Sequence, residues 1–494
     1  MKIVKDIDLI SIQETRDLVE KAYEAQKRFE KFDQEKTNKI VDSLARVIRE
    51  NAEYLGKLAS ETTKFGRWED KKIKNILASE ILNDYMKNMK TRGIINFDDN
   101  NKIYEVAVPM GVVAGIIPTT NPTSTVIFKT LISLKAGNAI VFSPHPRALE
   151  CILKTVEIIK NELNKLGVDH NLVGCISNPT IEATSELMNH NKVAIILATG
   201  GSAMVKSAYS SGKPALGVGP GNVPAYIDKT ANVEKAVADI LCSKTFDNGT
   251  ICASEQSIIA HSSVLDAVKK ECVRQGGYIL NEEEKKKVEK ILVGPTGAFN
   301  SAIVGLDGKT LADMAGIKVP DYTRVLIAPE NGVGNEFPFS IEKLTCILAF
   351  YEAKNLDEAK YIALQLIRFA GMGHSCAIHA NDRDRIIDFS SIMPVSRMLV
   401  NTPTSQGAVG YSTSLTPSFT LGCGSYGRNA TSDNISVMHL FNRKRIAYGV
   451  NDISSIKDFS NGSINSTVMN NNMYSDEFIN KIIVEVKKAL NNQI

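Results

Sequence analysis

From Gly111 onward the chain alternates short, wholly apolar runs with turns and helical patterns. That alternation limits the possible folds more than any other feature. Residues 112–117 (Val-Val-Ala-Gly-Ile-Ile) stop at Pro118, a loop follows at 119–123, and 124–134 has helical spacing. Residues 139–142 (Ala-Ile-Val-Phe) are stopped by Ser143-Pro144-His145-Pro146. Residues 193–198 (Val-Ala-Ile-Ile-Leu-Ala) lead into Thr199-Gly200-Gly201-Ser202 and a helix from Ala203. Apolar runs this short, bounded by turns, suit strands buried on both faces. Strands separated by helices predict an α/β fold with a mainly parallel sheet. Ligands of such sheets bind beyond the carboxyl ends of the strands, which here are these loops.

The rest of the chain surrounds that core. Residues 11–90 read as amphipathic helices, with Val19, Ala22, Ala25 and Phe29 on one stripe and Ile40, Leu44, Val47 and Ile48 on another. Residues 91–108 switch to period two, and 443–448 read as a late strand that partners them. A second α/β region runs from Cys252 to about 427. From 451 the composition turns polar: 458–472 read as a linker, and 475–490 as an amphipathic helix with Ser475 as its cap. The length of 494 residues allows two to four domains, and 43% hydrophobic with 23% charged residues is ordinary for a soluble protein. A net charge of +3 is too small to argue for nucleic acid or an anionic membrane as partner, and neither is expected. No uncharged run is long enough for a membrane span, and the start carries no apolar signal segment, so a cytoplasmic location is expected. Eight cysteines without CxxC or histidine pairing read as reduced thiols, with no metal site.

One of these cysteines has a distinctive setting. In Phe246-Asp247-Asn248-Gly249-Thr250-Ile251-Cys252-Ala253-Ser254-Glu255-Gln256, Cys252 follows a loop-forming stretch and precedes an apolar run. A thiolate on such a loop is a suitable nucleophile for a carbonyl carbon, whereas a lone cysteine is more often a small buried hydrophobe. The segment resembles the nucleophile loop of the CoA-acylating aldehyde dehydrogenases, and the likeness runs from about residue 10 to about residue 449.

That resemblance implies roles for particular residues. Cys252 would be the nucleophile. Asn121, in Ile117-Pro118-Thr119-Thr120-Asn121-Pro122-Thr123, would hold the oxyanion together with the Cys252 amide. NAD would be bound by Ser143, His145, Thr199, Gly200, Gly201, Ser202, Gly217 and Glu342, with the glycine turn at a helix N-terminus facing the pyrophosphate. Thr120, Ile251, Asn401, Thr402 and Ser405 would line the substrate pocket, Arg397 lies in the same pocket segment, and Cys423 is structural. In Ala215-Leu216-Gly217-Val218-Gly219-Pro220-Gly221 the position at which hydrolytic relatives carry a glutamate is Val218, so the acyl group would pass to coenzyme A rather than to water.

The resemblance thus implies an aldehyde dehydrogenase fold. A Rossmann-like dinucleotide-binding domain (1–91 and 110–238) would join an α/β catalytic domain (239–426). A small oligomerisation β element (92–109 and 427–450) would follow, then a linker (451–474) and a tail helix (475–491). The expected reaction converts a short aldehyde, CoA and NAD⁺ to acyl-CoA and NADH. Acetaldehyde is the first expectation and propionaldehyde the second, ahead of succinate semialdehyde, sulfoacetaldehyde or hydrolytic chemistry. A homodimer or homotetramer is expected. The linker and tail helix lie outside that likeness. A flexible linker with a short amphipathic helix resembles the encapsulation peptides of bacterial microcompartment enzymes, which would reach a shell or cargo enzymes. The alternative is a helix that docks on its own subunit or a neighbour.

Overall fold

A computed structural model describes residues 6–294 and 299–451. Two units divide the described residues: 6–96 with those of 104–445, and 97–103 with 446–451. In the small unit the Tyr448 amide donates to the Lys102 carbonyl at 3.2 Å. The tail expected at 475–491 and most of the expected linker lie outside the described residues.

The helical stretch near the start divides into Ile7–Phe29, Gln34–Glu50, Ala52–Thr63 and Trp68–Ile76. Asp6 and Asp33 cap the first two by accepting backbone N–H bonds. Both predicted stripes face inward, with Val19, Ala22, Phe29, Ile40, Leu44 and Ile48 buried. Strands β1 (Gly93–Asp98) and β2 (Ile103–Pro109) occupy the period-two region. They are two strands and not one continuous run, because Asp98, which accepts the Asn100 and Asn101 amides, turns the chain back.

Strands β3 (Val112–Ile117), β4 (Ala139–Pro144), β5 (Val173–Cys175), β6 (Val193–Thr199) and β7 (Ala215–Val218) form one parallel sheet, in the order β5-β4-β3-β6-β7. The chain runs outward from β3 to β5, then returns to the other side of β3 for β6. That reversal makes a crevice beyond the ends of β3 and β6. The helix after β3 is Pro122–Lys135, starting two residues before the expected Ser124, because Pro122 suits the first turn and Asn121 stands before it.

Strands β8 (Val223–Ile227), β9 (Glu255–His261), β10 (Gly277–Ile279), β11 (Val325–Pro329), β12 (Ile347–Ala353), β13 (Gly373–His379) and β14 (Val395–Val400) form a second parallel sheet, ordered β10-β11-β12-β9-β8-β13-β14. The change of sheet falls between β7 and β8. The boundary expected at 238/239 therefore lies inside the helix Val233–Thr245, since pairing of Ala225 with Ile258 and Ala377 commits β8 to the second sheet. Each sheet centres its own apolar cluster. Strand β15 (Phe441–Ala447) completes a small sheet in the order β1-β2-β15, and the Glu105 carboxylate lies 3.6 Å from Arg445 and 3.9 Å from Arg443.

Candidate active site

The carboxyl ends of β3, β4 and β6 open into a cavity of about 610 Å³. Its lining includes Thr119–Asn121 after β3, Ser143–Pro146 at the end of β4 and Thr199–Gly201 at the end of β6. Val218, Gly219 and Pro220 follow from β7, and Cys252 and Glu342 come from the second sheet's side. Of the expected cofactor residues, Ser143, His145, Thr199, Gly200, Gly201 and Glu342 meet here, as do Thr120, Asn121 and Cys252.

A dinucleotide fits this lining. Gly200 and Gly201 precede the helix Ser202–Ser210, whose free N–H groups attract a phosphate, and a Cβ on Gly201 would point into open space. Thr199 Oγ1 is buried without a hydrogen-bond partner among the described residues, leaving a polar atom for a ligand. Ser143 Oγ pairs with Thr184 Oγ1 at 2.7 Å, and His145 Nδ1 accepts the Arg147 amide at 3.1 Å.

Cys252 is half-buried, and its sulfur lies 3.2 Å from His374 Nε2. Burial, and then the nearby Glu342 carboxylate, push the thiol up to about 12. Burial, helped by the Arg397 charge, pulls the His374 imidazole down to about 3. The resting pair is thus a neutral thiol beside a neutral imidazole. Ser375 Oγ sits 3.1 Å from His374 Nδ1 and accepts from Arg397 Nε at 3.3 Å. Arg397 also donates to the His374 and Gly422 carbonyls at 3.0 and 2.7 Å, which ties it to the loops rather than to a pocket.

Sequence reasoning missed His374. Seven histidines are scattered along the chain, and only the setting Gly373-His374-Ser375 at the onset of a strand run distinguished this one. Nothing in the linear order links it to a cysteine 122 residues away.

Glu342 accepts the Gly221 amide at 3.1 Å, and burial raises its carboxyl to about 7. Gly221 is required: a Cβ there would collide with the Cys252 carbonyl oxygen. Val218 lines the cavity, and Glu342 is the sole carboxylate in the lining.

Several expected residues stand elsewhere. Ile251 is buried in the second core cluster, because its side chain turns inward where Cys252 turns out. Gly217 packs against Val205 and Tyr209 of the helix Ser202–Ser210, and Ser202 serves as that helix's first residue. Asn401, at φ 52°, brackets Ala380 with a bond to each of its backbone groups, at 3.0 and 2.8 Å. Thr402 pairs with Ser412 at 2.6 Å, and buried Ser405 pairs with Ser243 at 2.7 Å. These three close the end of β14 and do not line the cavity. Cys423 is buried as expected, its sulfur 3.5 Å from the Leu421 carbonyl.

A buried charged cluster adjoins the Cys252 loop. Asp247 and Asn248 adopt φ of 48° and 51°, a left-handed conformation that Asp and Asn tolerate better than most residues. The Asp247 carboxylate accepts the Arg67 amide at 2.7 Å, Lys71 Nζ at 2.9 Å and the Thr250 hydroxyl at 2.8 Å, and also pairs with Lys74. Burial alone would raise this carboxyl, but the two lysines hold it below its ordinary value. Among the described residues no group of side chains could hold a metal ion.

Two parallel sheets, with a crevice at the reversal of strand order in the first and a cysteine in its lining, make an α/β fold of the nucleotide-binding kind. The chain belongs to the aldehyde dehydrogenase family, whose family model matches residues 2–289. It is 44% identical over 442 residues to the bifunctional aldehyde-alcohol dehydrogenase AdhE of Escherichia coli (strain K12), covering 88% of this chain. It spans about half the length of that relative, 50%. An acetylating aldehyde dehydrogenase from Geobacillus thermoglucosidasius superposes with a TM-score of 0.90 at 50% identity, covering 91% of this chain and 99% of that one. A propionaldehyde dehydrogenase from the Clostridium phytofermentans fucose utilisation bacterial microcompartment superposes at 0.80 with 29% identity, covering 88% and 97%.

Proposed function

We propose that the protein is an NAD-dependent, CoA-acylating aldehyde dehydrogenase acting on a short aldehyde, acetaldehyde before propionaldehyde. The observation that carries this reading is the 3.2 Å approach of His374 Nε2 to the Cys252 sulfur inside a cavity that offers no second carboxylate. To take the thiol proton, His374 must be the Nδ1–H tautomer, donating to Ser375 Oγ, which lies within reach at 3.1 Å. The Cys252 thiolate then adds to the aldehyde carbon. The Asn121 side-chain amide and the Cys252 backbone N–H receive the oxygen as its charge develops. NAD, when bound, supplies the hydride acceptor. Loss of hydride from the tetrahedral carbon leaves a thioester on Cys252, and attack by the CoA thiolate returns the free cysteine.

Hydrolysis would need a base to activate water, and Val218 cannot provide one. Glu342 is committed to the Gly221 amide. With no glutamate at position 218, the thioester is expected to pass to CoA faster than to water. The test is NADH absorbance with purified protein and acetaldehyde, propionaldehyde or butyraldehyde, with and without CoA. Turnover should require CoA, and rapid multiple turnover without it would assign the chain to hydrolytic chemistry instead.

The strands β2 and β15 support a homo-oligomer, in which exposed β15 would meet a second copy. The amphipathic pattern of residues 475–490 supports delivery to a microcompartment, the setting in which the propionaldehyde dehydrogenase named above is found. Among the described residues no helix is long and apolar enough to cross a membrane.

A further inference from the structure

The proposed mechanism uses the amino end of the Asn121 carboxamide, yet an amide can present either end to a ligand. What decides its orientation lies on another helix. Lys74, on Trp68–Ile76, is buried to 1% exposure and donates from Nζ to Asn121 Oδ1 at 2.6 Å. An ammonium has donors only, so it holds the oxygen end and leaves Nδ2 as the end available for a ligand. Lys74 is itself fixed by the Asp247 carboxylate and by Thr250 Oγ1 at 3.2 Å. The Asn121 Nδ2 bonds, to Thr120 Oγ1 at 3.1 Å and the Thr250 carbonyl at 3.3 Å, are longer and therefore more easily exchanged. A cation on the oxygen side also polarises the amide and makes its N–H groups stronger donors.

We propose that Lys74, anchored by Asp247, is a positioning residue that orients and polarises the Asn121 carboxamide toward the substrate's carbonyl oxygen. This rests on the oxyanion reading of Asn121. The competing explanation is that Lys74 simply pins its helix to the nucleophile loop, in which case its loss would harm every variant alike.

A double-mutant cycle separates the two. Lys74→Met and Asn121→Ala are made singly and together in the full chain, and the first-turnover rate of NADH formation is measured at saturating aldehyde and NAD. Active enzyme is counted by Cys252 alkylation, so that loss of folded protein is normalised out. Lys74→Met should slow the first turnover about tenfold or more in the otherwise native chain and less than about twofold in Asn121→Ala, because the shared interaction is already gone. Lys74→Arg should recover part of the rate, and the loss should fall on kcat more than on KM. If Lys74→Met does not yield folded protein, Lys74→Gln, which is neutral and of similar size, takes its place in the cycle. Equal losses in both backgrounds would overturn the positioning role. A first turnover unaffected by Asn121→Ala would instead overturn the oxyanion reading itself.

Discussion

At the residue scale, Cys252 rests as a thiol because burial, reinforced by Glu342, opposes its charge, while burial keeps His374 neutral. With the thiol pushed up to about 12, only a small fraction is thiolate near neutrality. In enzyme free of substrate and cofactor, alkylation of Cys252 by iodoacetamide should rise about tenfold per pH unit from 7 to 10, as the thiolate fraction does below its pKa. A plateau reached near pH 7 would show that the resting cysteine is already ionised. His374→Ala should slow first-turnover NADH formation by roughly 10²–10⁴-fold, the usual scale for a lost general base. The deficit should narrow at high pH, where the thiolate forms without help. A His374→Ala enzyme of normal rate would mean that the imidazole only packs against the sulfur.

At the element scale, the Cys252 loop is held by the helix Trp68–Ile76, which places Lys71 and Lys74 one turn apart and facing Asp247. Both lysines and the carboxylate are buried, so removing Asp247 takes away the carboxylate that both ammonium groups bond, with only Asp70 left as a nearby anion. Asp247→Ala should therefore destabilise the fold by about 3–5 kcal/mol, the range for breaking a buried ion pair. Thermal and denaturant unfolding would measure it, and an unchanged midpoint would mean that water or rearrangement replaces the pair. The pH dependence has a definite sign. The folded carboxyl lies below its unfolded value, so its stabilisation is present above the ordinary carboxylate range and is lost as pH falls through the folded value. In Asp247→Ala this acid-sensitive component should be missing.

At the scale of the whole molecule, β15 is an edge strand among the described residues, and those after Phe441 are exposed. An open edge of this length invites pairing with another chain. Light scattering at micromolar concentration should therefore report a dimer or larger, and a monomer would contradict the oligomer reading. The tail pattern gives an independent expectation. Deleting residues 458–494 should leave kcat and Tm nearly unchanged if that segment serves an external partner. A fall of several degrees would mean that it stabilises the enzyme itself.

The alternation of apolar runs and turns after Gly111 was enough to give the parallel α/β class and the strand ends that carry ligands, because period and turn chemistry are local properties. The motif around Cys252 and the Asn121 loop singled out two residues that the structure brings into the cavity lining, since each lies within a short contiguous segment. Contacts between distant segments were not legible in this way. His374 reaches Cys252 only because β13 and the nucleophile loop converge, and Lys74 reaches Asn121 only across the packing of two helices. Asn401, Thr402 and Ser405 sit in a segment that resembles a pocket lining, but the fold aims their side chains at Ala380, Ser412 and Ser243. A sequence records which side chains exist and how they repeat along an element. Which of them face one another depends on the angle and register at which elements pack, and that is decided by burial of the two cores as a whole.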